Sequence, residues 1–230
     1  MHIPDGFLTI IICAIMWAIA ISFLAIAFWR LRRDLNEKQI PLMAILTAMF
    51  FAAQMMNYPI IGGTTAHLLG GPILAITLGP YAALVSITVI LVIQAFFFGD
   101  GGILTLGANI VNMGIVGVFI PWIVFILIYR LSSSRYGMII GGFISAFCGD
   151  LTAAVSAGIM LGLSYPLFPY SMFIATIVMS IHHSVIGVIE GFATVIILLV
   201  ISGVRPDLLA IERVVPSITG DWSPKFLEVI

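Results

Sequence analysis

The sequence predicts an all-α polytopic membrane protein with about seven transmembrane helices. Of its 230 residues, 62% are hydrophobic and only 8% are charged, whereas a soluble domain carries about 25% charged residues. The mean hydropathy is +1.23, and the apolar residues form runs of roughly 20, the length that crosses a hydrocarbon core of about 30 Å. With nine Lys and Arg in total, the chain has no basic patch that would bind nucleic acid.

The predicted spans follow one another with short connections. The first lacks a basic leader and is too long for a signal peptide, so we interpret it as a retained helix. The third contains Gly70, Gly71, Pro72 and Gly79, and we expect it either to span the membrane or to be broken or re-entrant. The spans lie near residues 8-29, 41-58, 67-79, 81-98, 106-129, 137-162 and 171-202.

The basic residues predict the orientation. In a seven-span map with the N-terminus outside, all nine Lys and Arg fall on one side, in the loops 30-40 and 130-136 and in the tail after Gly203. Such segregation is the positive-inside pattern, so these loops and the C-terminus are expected to be cytoplasmic. A re-entrant third segment would invert every later assignment, and the charge bias argues against it.

Two groups of residues within the spans allow both a functional and a structural interpretation. Asp150, His182, His183 and Glu190 are ionisable groups at membrane depth, where such groups are expensive and often functional; Asp150 lies at a depth that would reach His182. A buried polar pair that fixes helix packing explains them equally well. The other group is a helix face of small residues that permits close approach of another helix, from a partner or from the same bundle: Ala44, Ala48 and Ala52.

The remaining histidines, His2 and His67, lie at the same predicted membrane surface. Because His2 is the second residue, the Met1 α-amine, the His2 backbone nitrogen and the His2 ring nitrogen can chelate one metal ion through a five-membered and a six-membered ring. A fourth nitrogen from His67 would complete a planar set, which among divalent metals favours Ni(II) or Cu(II). Zinc prefers a tetrahedron.

Four segments of the chain together resemble the CbiM/NikM family, the substrate-capturing membrane subunits of nickel and cobalt energy-coupling-factor (ECF) transporters. The resemblance extends from residue 1 to about 195, and its most specific element is the N-terminal hexapeptide. The segments are residues 1–6 (MHIPDG), 62–71 (GGTTAHLLGG), 98–102 (FGDGG) with 106–109 (LGAN), and 182–191 (HHSVIGVIEG).

The resemblance implies a single membrane domain, residues 1-230: an extra N-terminal helix and cytoplasmic loop (1-40), a six-helix core (41-202) and a cytoplasmic tail (203-230). It implies that Met1, His2 and His67 hold the metal. Polar residues at the predicted outer helix ends are candidates to orient these ligands: Gln54, Asn57, Thr64, Thr65, Asn109 and Asn112.

The chain has no G-x-x-x-x-G-K-[ST] loop, so we expect no ATP hydrolysis by that route. The resemblance implies partners: an ECF transmembrane coupling subunit, ATPase subunits and a small accessory membrane subunit, with Ala44, Ala48 and Ala52 as a docking surface. The substrate expected in a prokaryotic cytoplasmic membrane is Ni(II), with Co(II), for cobalamin biosynthesis, as the alternative. Two other hypotheses are a membrane enzyme that uses His182, His183, Asp150 and Glu190, and a structural scaffold.

Overall fold

The structure, a computed structural model, describes residues 1–34, 39–60 and 63–210. Over this part of the chain the fold is a helical bundle with one two-stranded antiparallel β-hairpin, β1 (Tyr58–Ile60) and β2 (Thr64–Ala66). The α-helices in chain order are α1 (Ile10–Asp34), α2 (Gln39–Gln54), α3 (Gly71–Leu78), α4 (Pro80–Ile93), α5 (Leu106–Asn109), α6 (Gly117–Leu131), α7 (Arg135–Leu163) and α8 (Met172–Val204).

Two π-helical stretches lengthen these helices. Gln94–Phe98 continues α4, and Ile110–Val116 joins α5 to α6 in one helical run. Five helices of the described residues are therefore long and apolar enough to cross a membrane, and α2 is a shorter apolar helix. This confirms the predicted all-α polytopic class. The five are Ile10–Arg33, Pro80–Phe98, Leu106–Leu131, Arg135–Leu163 and Met172–Val204.

The second and third predicted spans differ from the structure. α2 ends at Gln54, and the chain turns into β1 because a residue that precedes a proline, here Pro59, is driven into extended conformation. The third predicted span, 67-79, is not one helix: α3 has only eight residues, about 12 Å of helix. All eight are buried, so this short helix is enclosed by protein, as broken backbone at membrane depth must be.

The extra N-terminal helix lies at the edge of the bundle. Most of α1 is exposed, and it packs against α4, α5 and the Ile110–Val116 segment. A Cβ atom at Gly107 of α5 would lie 2.7 Å from the backbone nitrogen of Trp17, so only glycine permits this close approach. The Trp17 indole N–H also donates to the Leu104 carbonyl oxygen at 3.0 Å. The start of α1 is thereby fixed beside the loop that precedes α5.

The two ends of the bundle differ in character. The arginines within the described residues lie at the ends of α1 and α6, at the start of α7 and just after α8. The N-terminal segment, the hairpin and the 99–105 loop meet at the opposite end. Lys38, Arg213, Lys225 and the predicted tail beyond residue 210 lie outside the described residues.

Candidate metal centre

The first residues of the chain are buried inside the bundle. Met1 and Ile3 are fully buried. The Ile3 backbone N–H donates to Asn109 Oδ1 at 2.9 Å, and the Ile3 carbonyl oxygen accepts from Thr105 Oγ1 at 2.6 Å and from the Gly102 N–H at 3.0 Å. These bonds satisfy the buried backbone of Ile3, as a buried polar group requires. They fix residues 1–3 against α5 and the 99–105 loop.

A second attachment follows at Asp5. Its carboxylate accepts hydrogen bonds from the backbone N–H groups of Ile103 and Thr105, at 3.0 and 3.1 Å. Hydrogen bonds to a charged group are each worth about 1.5–3 kcal/mol, more than bonds between neutral groups. Asp5 therefore joins the N-terminal segment to the loop before α5 and holds the preceding residues inside.

The α-amino group of Met1 contacts the hairpin and the segment after it. It donates to the Thr65 carbonyl oxygen and lies 3.3 Å from Nε2 of His67. Burial lowers the pKa of this amine from 8.0 to about 5, and the charge of Asp100 opposes the shift. At neutral pH the amine is therefore uncharged and its lone pair is available.

The His2 ring is held in a single orientation. Its Nε2 lies 2.9 Å from Gln94 Oε1, and because an amide oxygen only accepts, Nε2 carries the proton. The unprotonated Nδ1 is the nitrogen that can close a chelate ring with the main chain. It lies 3.3 Å from Thr65 Oγ1 and 3.3 Å from Asp100 Oδ1. Burial, with the neighbouring amine, lowers the pKa of His2 to about 3.

The His67 ring has the complementary tautomer. Its Nδ1 lies 2.8 Å from the Leu68 carbonyl oxygen, so Nδ1 carries the proton and Nε2, facing the Met1 amine, does not. The His2 and His67 ring centroids are 4.6 Å apart, so the structure brings together the two histidines that the span map assigned to one surface. Burial, followed by the charges of the Met1 amine and His2, lowers the pKa of His67 well below 6.5.

The Met1 amine and the His2 and His67 rings therefore lie side by side, and the His2 backbone nitrogen lies between the amine and the His2 ring along the chain. In each ring, the nitrogen that does not face the amine or the main chain donates to a hydrogen-bond acceptor: Gln94 for His2 and the Leu68 carbonyl for His67. Metal-binding histidines usually have such a partner, because it fixes the tautomer and orientation of the ring. Among the described residues, no group of three or more His, Cys, Asp or Glu side chains is arranged to hold a metal ion.

The residues predicted to orient the ligands fall into two sets. Thr65 and Asn109 contact the N-terminal segment directly, and Asn57 donates to Asp100 Oδ2 at 2.6 Å. The other three have partners elsewhere. Gln54 Nε2 donates to the Leu69 carbonyl oxygen at 2.7 Å, Thr64 Oγ1 lies 3.3 Å from Met179 Sδ, and Asn112 Oδ1 accepts from Ser156 Oγ at 2.7 Å.

Among the ionisable residues of α7 and α8, Asp150 and Glu190 lie next to each other. The expected approach of Asp150 to His182 is wrong: Asp150 packs against Gly187, while His182 lies beside the Tyr58 ring. His183 Nδ1 donates to the Met179 carbonyl oxygen at 2.8 Å within α8. Successive helical residues point about 100° apart, so His182 and His183 cannot face the same neighbour.

The sequence did not single out two residues that contact His2, Gln94 and Asp100. Gln94 is fully buried at the end of a helical run of high mean hydropathy, and a polar residue at that depth was the available signal. Asp100 lies in the FGDGG segment, between Asn57 and His2. Burial raises the pKa of the Asp100 carboxyl, and the Met1 amine and the Asn57 hydrogen bond oppose that shift.

This fold and site define a multi-pass membrane protein whose own N-terminus is buried beside two neutral histidines. The chain belongs to the CbiM family, described as the cobalt uptake substrate-specific transmembrane region, which it matches over residues 2–208. It is therefore a metal-transport membrane subunit of the CbiM/NikM type and not an enzyme, as the sequence predicted.

Individual relatives carry both nickel and cobalt names. The chain is 38% identical to the fused nickel transport protein NikMN of Rhodobacter capsulatus, over 93% of this chain and 65% of that protein. It is 35% identical to the cobalt transport protein CbiM of Geobacter sulfurreducens, over 91% of this chain and 62% of that protein. The chain thus spans less than two thirds of the length of these two relatives.

A solved structure has the same fold. A crystal structure of a transition metal transporter superposes with a TM-score of 0.80 at 38% sequence identity, covering 89% of this chain and 93% of the other. A truncated form of a transition metal transporter gives a TM-score of 0.78 at the same identity, over 86% of this chain. The overall fold is thus shared with a transition metal transporter of known structure.

Proposed function

We propose that this protein binds Ni(II) with high affinity at the outer membrane face and is the substrate-specific subunit of an ATP-driven ECF transporter that takes the ion up. The observation that carries the proposal is the convergence of the Met1 amine, His2 Nδ1 and His67 Nε2. All three are neutral at pH 7, so a cation does not have to displace a proton from any of them. With the His2 backbone nitrogen they supply four donors.

The donor set favours nickel. Four nitrogens, three of them from consecutive chelate rings at the N-terminus, match the planar geometry of Ni(II). Co(II) is the alternative substrate, since the chain is 35% identical to a cobalt transport protein. Asp100, 3.3 Å from His2 Nδ1, would supply negative charge to a divalent cation there, as a carboxylate near a buried cation does.

The proposed transporter includes a coupling membrane subunit, ATPase subunits and a small accessory membrane subunit. An exposed small-residue face of α2 supports docking of the coupling subunit, because small residues let a second helix approach closely in the membrane. Ala44, Ala48 and Ala52 are all exposed on that face. We further propose residues 41-202 as the six-helix core, after an extra helix in 1-40, with 203-230 as a cytoplasmic tail.

The distribution of arginines supports the orientation. Those in the described residues lie at the end of the bundle opposite the Met1–His2–His67 site, so the positive-inside bias puts the site outside and this end in the cytoplasm. In this arrangement the ion enters from the outer face of a prokaryotic cytoplasmic membrane and leaves toward the cytoplasm.

The test is the metal content and visible spectrum of the purified protein, after loading with Ni(II), beside His2→Ala and His67→Ala variants. We expect one nickel per chain, a planar nitrogen-type spectrum, and loss of at least 100-fold in affinity on removing either ring. The control His182→Ala removes a histidine that lies beside the Tyr58 ring and should leave the spectrum unchanged. Equal nickel binding by His2→Ala and the unmodified chain would refute the proposed site.

A further inference from the structure

The segment that follows His67 is held from two different helices. On one side the Glu190 carboxylate of α8 accepts hydrogen bonds from the backbone N–H groups of Leu69 and Gly70, the latter at 2.7 Å. On the other side Gln54, the last residue of α2, donates from Nε2 to the Leu69 carbonyl oxygen at 2.7 Å. Residue 69 is thus bonded through its N–H to α8 and through its C=O to α2.

This segment sets the position of the His67 ring. The ring's Nδ1–H donates to the carbonyl oxygen of Leu68, the residue next to the one held by Gln54. Gly70 has a left-handed backbone with φ +77, and a Cβ there would lie 2.3 Å from the Phe50 ring of α2. The backbone behind His67 therefore lies directly against α2, and glycine at position 70 permits the contact.

α2 is held by few buried side chains. Within α2 the buried residues are Leu46, Phe50 and Gln54, one stripe at four-residue spacing. The face with Ala44 and Ala48 is exposed. Gln54 also contains a buried oxygen, Oε1, that has no hydrogen-bond partner within the described part of the chain. Because an unpartnered buried polar atom is unfavourable, stability alone does not favour glutamine here.

We propose that Gln54 is a positioning residue for His67, which makes the metal site depend on where α2 lies. While α2 occupies its present place, the Gln54–Leu69 bond keeps the 68–70 segment, and with it His67 Nε2, turned toward the Met1 amine. If α2 moves relative to α8, the Leu69 carbonyl moves away from Glu190. His67 Nε2 then moves away from the Met1 amine and no longer completes the donor set. The inference rests on the proposed function, and it gives a docked partner a route to weaken metal binding.

The test begins with Gln54→Leu in the full-length protein, with Thr47→Val as the matched control on α2. Thr47 Oγ1 bonds only to the Met43 carbonyl oxygen of its own helix, among the described contacts. Gln54→Leu removes one unpartnered oxygen but leaves the Leu69 carbonyl oxygen without the Gln54 donor, so any loss of thermal stability should be no more than that of one hydrogen bond. We expect nickel affinity to fall about tenfold, the loss typical when a group that orients a metal ligand is removed, with faster dissociation. Thr47→Val should leave nickel affinity and the dissociation rate unchanged.

A double-mutant cycle separates positioning from general structural damage, because residues that act through one another are not additive. In a His67→Ala background, where Met1 and His2 still chelate weakly, Gln54→Leu should change nickel affinity by less than about twofold. An equal tenfold loss in both backgrounds, or unchanged affinity in Gln54→Leu alone, would overturn the inference. Gln54→Asn, which keeps the amide but shortens it, gives the same cycle if the leucine variant does not fold.

The visible spectrum gives an independent readout. If Gln54 acts through His67, the Gln54→Leu spectrum should shift toward that of His67→Ala, since loss of a nitrogen ligand weakens the ligand field. A weaker-binding variant with an unshifted spectrum would contradict positioning. If the unmodified protein binds no nickel, the proposed function fails as well; if it binds nickel and Gln54→Leu has no effect, only this inference fails.

Discussion

The Met1 α-amino nitrogen lies 3.3 Å from Nε2 of His67, sixty-six positions later in the chain. A terminal amine is ordinarily solvated and charged, with a pKa of about 8. Here it is buried with two histidine rings, and burial keeps all three groups neutral. In the proposed function, the free end of the chain supplies one donor to the cation.

Gln94 should control the tautomer of His2. Gln94→Leu removes the oxygen that accepts the Nε2 proton, leaves a buried donor unpaired and allows the proton to move to Nδ1, where metal would have to displace it. We expect about 10- to 100-fold weaker nickel binding, the range for partners of ligating histidines. Titration calorimetry measures the nickel affinity of this variant and of the unmodified protein.

Ser86→Ala is the matched control for Gln94, because Ser86 is buried on the same helix and its hydroxyl has no partner within the described residues. This variant should bind nickel as the unmodified protein does. Equal losses in both variants would mean that α4 repacking, and not the His2 tautomer, explains the effect.

The number of protons released on metal binding should be small between about pH 6 and 8, a range below the usual pKa of an α-amine. The Met1 amine, with its pKa lowered to about 5, is already deprotonated there, and so are both rings. Only the His2 backbone amide then loses a proton, so we expect about one per nickel. As the pH falls through 5 the amine becomes protonated, proton release rises and affinity falls more steeply.

Calorimetry in buffers of different ionisation enthalpy counts these protons. Release of two protons at pH 7 would indicate a charged amine in the metal-free protein and would contradict the effect of burial on its pKa. Release of none would remove the backbone nitrogen from the ligand set.

Asp5 should hold the N-terminal segment in place. Asp5→Ala removes the acceptor for the Ile103 and Thr105 backbone N–H groups. We expect a loss of about 1–3 kcal/mol in the free energy that keeps residues 1–5 docked, seen as faster amide exchange of Ile3 and weaker nickel binding. Unchanged exchange at Ile3 would mean that its own bonds to Asn109 and Thr105 suffice.

The orientation can be tested with topology reporters. Fusions after Arg33, Arg130 and Arg205 should all report a cytoplasmic location, because the arginines lie at one end of the bundle. A reporter inserted at Asp100 should be outside. A cytoplasmic signal at Asp100 would reverse the proposed direction of uptake.

The sequence alone predicted the membrane class, most helix positions and the placement of His2 and His67 at the same membrane surface. These follow from run length and charge bias, whereas a joint metal site of His2 and His67 was implied by the family resemblance. For the third span the sequence left open a spanning helix or a broken or re-entrant segment, and α3 covers only eight of its residues. Gly70 and Pro72 indicated a break there, but the hairpin before them depends on pairing between β1 and β2, which no local pattern showed.

Other parts of the site depend on three-dimensional contacts. Gln94 reaches His2 from the π-helical turn after α4, where the helix face shifts, so its direction could not be read from regular helical spacing. Glu190 binds backbone N–H groups at Leu69 and Gly70, and a main-chain partner leaves no trace in side-chain patterns. Both were visible only as polar residues in apolar helices.

In the proposed site the Met1 amine itself binds the metal. The most direct measurement is nickel binding by calorimetry and visible spectroscopy on three forms prepared side by side: the native N-terminus, a chain extended by one residue before Met1, and a C-terminally tagged chain. Extension converts the amine into an amide and places extra atoms where Met1 is fully buried. We predict that the extended form loses binding while the C-tagged form matches the native one; equal binding by the extended form would contradict the claim.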